Sequence, residues 1–373
     1  MCHRRWALMV VSLVFLLCAQ VGHSASLTRV APPPLPKPNP SSSPSQGASA
    51  ENSGVAMAAP ASGRSSAGPP PSPQLSAAAA VLMEAETGSV LYALNPHVRR
   101  APASLTKIVT GLVAIDKGDL NSTVAVTAHA ASKPPTKLGL RAGDRIRLSD
   151  LLAAALMGSS NDAATAIAEH VGGSEAAFAR TMTTMARKLG ARNSSFANAH
   201  GLDSSKHYST AYDMAVLSGW ALRVPEIARL ASLQRVNLSW QGGQRELSNI
   251  NSFLWRYSGA VGLKTGYTSS AGYCVSVAAQ QGKHRLIGVV MGCPSSEARW
   301  NDAVVLMDYG FDHFNELMTA ARKSETFYVV QRGETLSGIA ARFGTTVDVL
   351  LKLNSSLRGN ANLIKVGQQL IVP

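Results

Sequence analysis

Apolar and polar positions along the chain predict strands at both ends of one domain and helices between them. In AAVLMEAETGSVLYALN, which begins near Ala77, two apolar runs lie on either side of ETG, and this pattern predicts a β-hairpin. The run PASLTKIVTGL then places apolar residues three and four positions apart, which predicts one buried face of a helix. Farther along, LSDLLAAALMGSSNDAATAIAEHVGG predicts two apolar helices interrupted at GSSN, and helix-rich sequence continues to about Leu233.

Strand patterns return after this helical region. VGLKTGYT predicts a strand, and the β-branched runs YCVSVAAQ and RLIGVVMGC predict a hairpin across QGKH. A last amphipathic helix is predicted from about Glu297 to Met318. We therefore expect an α/β (α+β) domain whose antiparallel sheet is built from both ends of the domain and flanked by helices.

The chain from Phe327 onward follows a different pattern, which predicts a small βααβ unit. A short strand precedes a helix with Leu336 and Ile339 facing inward. Thr345 or Thr346 is expected to cap a second helix, and QQLIVP closes the unit as a strand.

The segments before Ala77 are expected to lie outside the folded domains. Residues 1–24 combine Arg4 and Arg5 with an apolar run and then small residues, which predicts a secretory signal peptide. The apolar run is about thirteen residues, short of the roughly twenty that a membrane span needs. Residues 25–76 are rich in Pro, Ser, Ala and Gly, so we expect a disordered linker. The folded domains are predicted at 77–325 and 327–373. The protein is expected to be exported to the periplasm, the cell wall or the extracellular space, with no stable membrane span after signal cleavage.

Charge and cysteine content narrow the class of partner. The 373-residue chain has a formal net charge of +13, and loss of residues 1–24 removes two arginines and no acids, which leaves +11. Export, together with the absence of a long run of like charges or a basic-aromatic stripe, disfavours nucleic acid as the partner.

After loss of the signal peptide, the cysteines that remain are Cys274 and Cys293. Two cysteines are too few for a disulfide framework or a four-cysteine metal site, and we expect no metal and no cofactor. Strand register decides whether these two cysteines pair, and the sequence leaves that open.

The first candidate for chemistry is a serine and a lysine at the start of the predicted PASLTKIVTGL helix. Ser104 and Lys107 are three residues apart and therefore share a face, and Pro102 leads into the first turn, where the positive end of the helix dipole tolerates negative charge. Of the twelve lysines, only Lys107 has a serine three positions earlier. Alone, this pairing is ordinary helix composition.

Two further motifs follow, each occurring once and in the order that accompanies S-x-x-K in penicillin-reactive serine enzymes. Ser159 and Asn161 form an S-x-N at the break between two predicted helices, where a simple helix cap is the alternative. Lys264, Thr265 and Gly266 form a K-T-G in a predicted strand, where a tight turn is the alternative. A lysine and a threonine there offer a cation and a hydroxyl to a carboxylate, and glycine allows a ligand backbone to approach closely.

With these motifs, the chain from about Ala77 to Arg322 resembles the low-molecular-mass penicillin-binding proteins, which are serine D-alanyl-D-alanine carboxypeptidases. RRAPASLTK, GSSNDAA, HGLD, YSTAYDMA, GLKTGYT and DYGFDHF are each similar to the family's versions. The resemblance implies the β-lactamase/transpeptidase-like fold, in which a helical subdomain accompanies the sheet.

The resemblance also implies roles for individual residues. Ser104 would be acylated by peptidoglycan stem peptides or by β-lactam antibiotics, with Lys107 as its base and with Ser159 and Asn161 relaying a proton and orienting the substrate. Lys264 and Thr265 of the K-T-G would receive the terminal carboxylate. The backbone N–H groups of Ser104 and Tyr267 would form the oxyanion hole, and Arg299 stands where the family often has a second arginine for the carboxylate.

From Phe327 the chain resembles a LysM module, whose family binds N-acetylglucosamine-containing glycans such as peptidoglycan. The resemblance implies a shallow glycan groove between two loops, one on each side of the module. The residues concerned are Gly333, Glu334, Thr335 and Leu336 on one side, and Asn362, Leu363 and Ile364 on the other.

Three other functions compete with a cell-wall DD-carboxypeptidase. A DD-endopeptidase would use the same chemistry on peptide crosslinks. A class A β-lactamase would need an acidic residue after the second motif to activate water, and the one acid in NSSFANAHGLDSS is Asp203 of HGLD. A catalytically inactive wall-binding protein is disfavoured because all three motifs are intact.

Overall fold

A computed structural model describes residues 70–323, 326–343, 345–354, 357 and 364–372. The predicted signal peptide at 1–24 and residues 25–69 of the predicted linker lie outside the described residues. Residues 70–76 of that linker are described and form neither helix nor strand.

The helices and strands follow the predicted order of a hairpin, a helical region and a second group of strands. The first part of the chain contains β1 (Ala79–Glu84), β2 (Val90–Leu94), a 3-10 turn (Ala103–Leu105), α1 (Thr106–Lys117), β3 (Thr123–Ala125), α2 (Ala128–Ala131), β4 (Arg145–Arg147), α3 (Leu148–Met157) and α4 (Asn161–Gly172). The next part contains α5 (Glu175–Lys188), α6 (Ala211–Leu222), α7 (Pro225–Ser232), β5 (Arg235–Trp240), β6 (Gly243–Ser248) and α8 (Phe253–Arg256). The last part contains β7 (Ala260–Thr268), β8 (Gly272–Gln281), β9 (His284–Cys293), α9 (Ser296–Asp312), α10 (Phe314–Lys323), β10 (Thr326–Val329), α11 (Leu336–Arg342), α12 (Val347–Leu353) and β11 (Gln369–Val372).

A five-stranded antiparallel sheet joins the two ends of the larger domain. Its strand order is β2-β1-β9-β8-β7, so β1 pairs with β9 from the far end of the domain. This confirms the predicted fold class. The strand β7, which carries the K-T-G motif, is at one edge of the sheet among the described residues.

Buried apolar side chains lie on both faces of this sheet. One cluster packs between the sheet and helices that include α1, α3, α4 and α6, and the other packs between the sheet and α9 and α10. All six residues of β1 are buried for this reason, which explains why the first five, Ala79–Met83, form a continuous apolar run and not an alternating pattern.

Three details differ from the sequence predictions or settle them. The hairpin β5–β6 was not predicted because most of its residues are exposed and give no apolar stripe. The predicted helix from Glu297 to Met318 is divided into α9 and α10 at His313. Cys274 and Cys293 are both buried free thiols that belong to clusters on opposite faces of the sheet, because the ladder bulges between Tyr273 and Val275.

The C-terminal βααβ unit has its own small core. Strands β10 and β11 pair antiparallel, and buried side chains including Leu336, Ile339, Leu350 and Leu370 pack together. The Thr346 side chain caps α12 by accepting a hydrogen bond from the Val349 N–H, one of the two caps that the sequence allowed. Among the helices of the described residues, none combines the length and apolar character that crossing a membrane requires.

Candidate active site

Ser104 lies in a tight turn that is closed in by two glycines. The preceding residue, Ala103, has φ 47°, a left-handed conformation that a non-glycine residue adopts only when its surroundings enforce it. A Cβ atom at Gly201 would lie 1.9 Å from the Ala103 carbonyl oxygen, and one at Gly266 would lie 2.9 Å from the Ser104 nitrogen. Only glycine therefore allows the HGLD loop and the K-T-G strand to approach the Ser104 turn this closely.

The Lys107 ammonium group connects the first two motifs. Its Nζ lies 2.9 Å from Ser104 Oγ, 2.7 Å from Asn161 Oδ1 and 2.7 Å from the carbonyl oxygen of His200. The Lys107 side chain is fully buried at the start of α1. Burial, and then the positive charge of Lys264, lower the pKa of Lys107 well below its ordinary value, although Asp162 acts in the opposite direction.

The two residues of the second motif lie where α3 ends and α4 begins. Asn161 accepts from Lys107 through Oδ1, and its Nδ2 donates to the carbonyl oxygens of Pro134, at 3.1 Å, and Pro135, at 3.2 Å. These bonds fix the orientation of the amide. Ser159 has φ 57°, is 4% exposed, and its hydroxyl has no hydrogen-bond partner among the described residues. The alternative reading of this motif as a simple helix cap is wrong: the residue at the N-cap is Ser160, which makes no capping hydrogen bond.

The K-T-G strand forms the opposite wall of the site. Lys264 is 1% exposed and Thr265 is 5% exposed, and Lys264 Nζ donates to the Thr265 carbonyl at 2.9 Å. Burial, and secondarily the charge of Arg299, lower the pKa of Lys264 to about 7. Arg299 Nη1 lies 3.5 Å from the Gly266 carbonyl oxygen of this strand. Tyr267 is 54% exposed, and the centroid of its ring is 4.3 Å from that of the Tyr273 ring.

A buried hydrogen-bond chain, which the sequence analysis missed, supports the Ser104 turn. His207 Nδ1 accepts from the Ala197 N–H at 3.0 Å, so in the neutral ring Nε2 carries the proton and donates to Thr106 Oγ1 at 2.7 Å. Thr106 Oγ1 in turn donates to the Ala103 carbonyl at 2.7 Å. Burial, and then repulsion by His200, lower the pKa of His207 to about 4, which favours this neutral form.

The acid considered for a β-lactamase is engaged elsewhere. Asp203 Oδ1 accepts a hydrogen bond from Thr268 Oγ1 at 2.7 Å, at an exposed position at the end of β7. His200 of HGLD, in contrast, contacts the catalytic candidates directly, because its carbonyl oxygen accepts from Lys107 at 2.7 Å and from Ser104 Oγ at 3.4 Å.

The predicted glycan-binding residues of the C-terminal unit are only partly described. Gly333 has φ 82°, and it and Thr335 are exposed, whereas Leu336 is buried in the core of the unit. Glu334 lies 2.9 Å from Arg342 and also accepts from the Tyr328 hydroxyl. Of the second loop, Ile364 packs against the core of the unit. Asn362 and Leu363 lie outside the described residues.

In the larger domain, all three sequence motifs converge on one cleft. A serine hydroxyl contacts a buried amine of lowered pKa, an oriented amide completes that wall, and a second lysine with a threonine lies across from them. This arrangement suits nucleophilic attack on a carbonyl that is followed by a carboxylate.

Comparisons with known proteins agree with this geometry. Residues 64–295 match the family model described as D-alanyl-D-alanine carboxypeptidase, and residues 328–373 match the model of the LysM domain. Among curated proteins, the chain is 34% identical over 274 residues to D-alanyl-D-alanine carboxypeptidase DacF of Bacillus subtilis. The aligned region covers 72% of this chain and 68% of DacF. It is 36% identical over 261 residues to DacD of Escherichia coli, which covers 66% of this chain and 66% of the relative. The chain thus spans about two thirds of the length of these relatives.

Solved structures with the same fold are also found. A D-alanyl-D-alanine carboxypeptidase from Mycobacterium tuberculosis superposes with a TM-score of 0.62 at 31% identity, covering 67% of this chain and 95% of that one. A variant of a Streptomyces DD-transpeptidase gives a TM-score of 0.62 at 28% identity, covering 65% of this chain and 100% of that one.

Proposed function

Because the chain belongs to the D-alanyl-D-alanine carboxypeptidase family of serine peptidases, we propose that it removes the terminal D-alanine from the stem pentapeptides of peptidoglycan. The resemblance predicted from the three motifs is confirmed by that membership. The observation that carries the proposed activity is the contact of one buried amine, Lys107 Nζ, with both Ser104 Oγ and Asn161 Oδ1.

The proposed reaction is acyl transfer to Ser104 followed by hydrolysis. Ser104 Oγ attacks the carbonyl carbon between the last two D-alanines while Lys107 takes the hydroxyl proton. The tetrahedral intermediate then expels the terminal D-alanine, whose nitrogen takes up a proton relayed through the Ser159 hydroxyl. Water cleaves the resulting ester, which releases the tetrapeptide and restores the serine.

Lys107 can act as a base only in its neutral form. Its complete burial and the positive charge of Lys264 both favour that form, so the hydroxyl proton has an acceptor 2.9 Å away. Lys107 Nζ donates hydrogen bonds to Asn161 Oδ1 and to the His200 carbonyl oxygen. Both acceptors orient the amine, and neither carries a full negative charge. The amine is therefore held in place without being locked in its protonated state.

The strand β7 would bind the reacting end of the substrate. Lys264 and Thr265 would receive the terminal carboxylate, and Arg299 would add positive potential at Gly266. The backbone N–H groups of Ser104 and Tyr267 would stabilise the oxyanion. Because β7 is an edge strand among the described residues, we expect the substrate backbone to lie along it.

We also propose that the enzyme is exported and held at the cell wall by its LysM domain. The apolar, basic start of the chain supports export. The match of residues 328–373 to the LysM model supports glycan binding, with Gly333 and Thr335 exposed at one of the two expected loops. Peptidoglycan glycan strands would be the partner, and β-lactams would acylate Ser104 as substrate mimics.

Product analysis tests the proposed activity. The purified chain is incubated separately with a soluble stem pentapeptide and with crosslinked muropeptides, and the products are separated by chromatography. A carboxypeptidase releases D-alanine from the pentapeptide and leaves the crosslinks intact. Cleavage of crosslinks alone would favour an endopeptidase instead, and no cleavage of either substrate would contradict the proposal.

A further inference from the structure

Glu175, the first residue of α5, lies in a polar cluster that none of the three motifs includes. Its carboxylate is 14% exposed and has partners from two separate loops. Oε1 accepts from the Ala199 N–H at 3.2 Å and lies 3.1 Å from His200 Nε2, while Oε2 accepts from Lys133 Nζ at 2.8 Å. One carboxylate thus links the loop at 133–136 with the loop at 198–201.

Each of these loops holds one catalytic side chain through its backbone. The His200 carbonyl accepts from Lys107 Nζ at 2.7 Å. The loop at 133–136 fixes Asn161: the Thr136 carbonyl accepts from its backbone N–H at 2.7 Å, and the Pro134 and Pro135 carbonyls accept from its amide nitrogen. Because Asn161 Oδ1 accepts from Lys107, the contacts close into a ring that returns to Glu175.

The ionisation states suit a structural link and not a base. Burial alone would raise the pKa of Glu175, but contacts with His200 and then Lys133 outweigh it and lower the pKa to about 2. His200 Nδ1 accepts from the Leu202 N–H at 3.2 Å, and its Nε2 lies 3.1 Å from Glu175 Oε1 without the geometry of a hydrogen bond. With both oxygens engaged, this carboxylate is a poor proton acceptor for a hydrolytic water.

We propose that Glu175 is a positioning residue that sets the distance between the Lys107 amine and the Asn161 amide by joining the two loops that hold them. This inference rests on the proposed role of Ser104 and Lys107 and extends it to a residue that touches neither. A glutamine at 175 has a single acceptor oxygen, so it can serve Lys133 or the Ala199 and His200 side but not both.

The test compares Glu175→Gln with a matched change in the same cluster. Glu169 on α4 is 17% exposed and accepts from Thr127 Oγ1 and His129 Nδ1, each at 2.6 Å, but it contacts neither loop. Glu169→Gln therefore removes a comparable half-buried carboxylate and leaves the Glu175 contacts with Lys133 and Ala199 in place, although its partner His129 also lies 4.0 Å from Glu175 Oε2. Acylation by a fluorescent penicillin is followed at several concentrations, well below each variant's unfolding temperature, to separate the limiting rate constant from apparent affinity.

For Glu175→Gln we expect the limiting acylation rate constant to fall by about tenfold to a hundredfold, with apparent affinity changed by no more than about twofold. Glu169→Gln should acylate at the wild-type rate. Lys133→Met breaks the same link at its other end, so it should also lower the limiting acylation rate constant with little change in apparent affinity. The double variant Glu175→Gln with Lys133→Met should be no slower than the slower of the two single variants.

Three results would overturn the inference. They are wild-type acylation in Glu175→Gln, an equal loss in Glu169→Gln, or additive losses in the double variant. If Glu175→Gln does not fold, Lys133→Met is decisive by itself, since a wild-type rate in that variant contradicts the link. Wild-type protein that forms no adduct at Ser104 would instead contradict the proposed function on which the inference depends.

Discussion

The catalytic cleft and the C-terminal LysM domain place their functional groups in opposite environments. In the cleft, Lys107 and Lys264 are almost completely buried, and Lys107 has three oxygen partners within 2.9 Å. In the LysM domain, Gly333 and Thr335 of the expected glycan loop are exposed. Chemistry on an amide bond requires groups whose pKa and orientation are set by burial, whereas glycan binding requires a surface that solvent can reach.

This difference determines how each region should respond to change. A buried polar group that loses its partner stays desolvated, so small substitutions in the cleft should have large effects on the reaction. An exposed loop exchanges its contacts with water at little cost. Removing the whole LysM domain should therefore slow the reaction less than removing the Thr106 hydroxyl group near Ser104.

The largest expected effect is that of Lys107→Arg. A guanidinium keeps the positive charge but stays protonated, so it cannot accept the Ser104 proton. We expect acylation by penicillin to fall by roughly a thousandfold or more. Labelling with fluorescent penicillin measures this, and thermal unfolding checks that the variant is folded. Penicillin labelling at the wild-type rate would show that Lys107 has only a structural role.

A smaller loss is expected when the support of the Ser104 turn is removed. Thr106→Val keeps the shape of the side chain but removes the hydroxyl that joins His207 to the Ala103 carbonyl. Because the left-handed Ala103 positions Ser104, we expect the acylation rate constant to fall by about ten- to a hundredfold. Thr106→Ser, which retains the hydroxyl, is the matched control. Equal acylation rates in the two variants would show that the hydrogen bonds from His207 through Thr106 to the Ala103 carbonyl do not support catalysis.

A pH effect on substrate affinity should follow from Lys264. Its pKa is lowered to about 7, so the side chain is cationic below that pH and increasingly neutral above it. Affinity for a peptide with a free terminal carboxylate should therefore weaken above pH 7, by up to about tenfold per pH unit. The KM for a free pentapeptide and the inhibition constant of its C-terminally amidated analogue, measured from pH 6 to about 9, test this. A parallel pH dependence for both peptides would exclude Lys264 as the carboxylate partner.

The smallest effect on catalysis should come from removing the LysM domain. A chain that ends at Glu325 should hydrolyse soluble pentapeptide at the full rate, because the two domains have separate apolar cores. It should no longer co-sediment with purified peptidoglycan at a salt concentration that screens the positive surface charge. If the shortened chain sediments as well as the full chain does, the catalytic domain itself docks to the wall.

Elements with a strong apolar pattern could be predicted from the sequence. The β1–β2 and β8–β9 hairpins, the break between α3 and α4 and the βααβ unit all have such patterns. The β5–β6 hairpin could not be predicted in the same way, because its exposed residues have no buried face to show.

The site divides along similar lines. Ser104, Lys107, Ser159, Asn161 and Lys264 could be chosen as candidates from the sequence because they lie in short motifs with fixed spacing. The His200 carbonyl left no signal, since every residue has a carbonyl and only the fold selects this one. Glu175 reads in the sequence as an ordinary acid in the first turn of a helix, and its two loops are brought together only in three dimensions.

The central claim, that Ser104 is the nucleophile activated in this cleft, is tested most directly by mass spectrometry after incubation with benzylpenicillin. The intact protein should gain the mass of one penicilloyl group, and peptide mapping should place that group on Ser104. Ser104→Ala should remove the adduct while the protein stays folded. An adduct on another serine, an adduct that persists in Ser104→Ala, or no adduct on the wild-type protein would contradict the account.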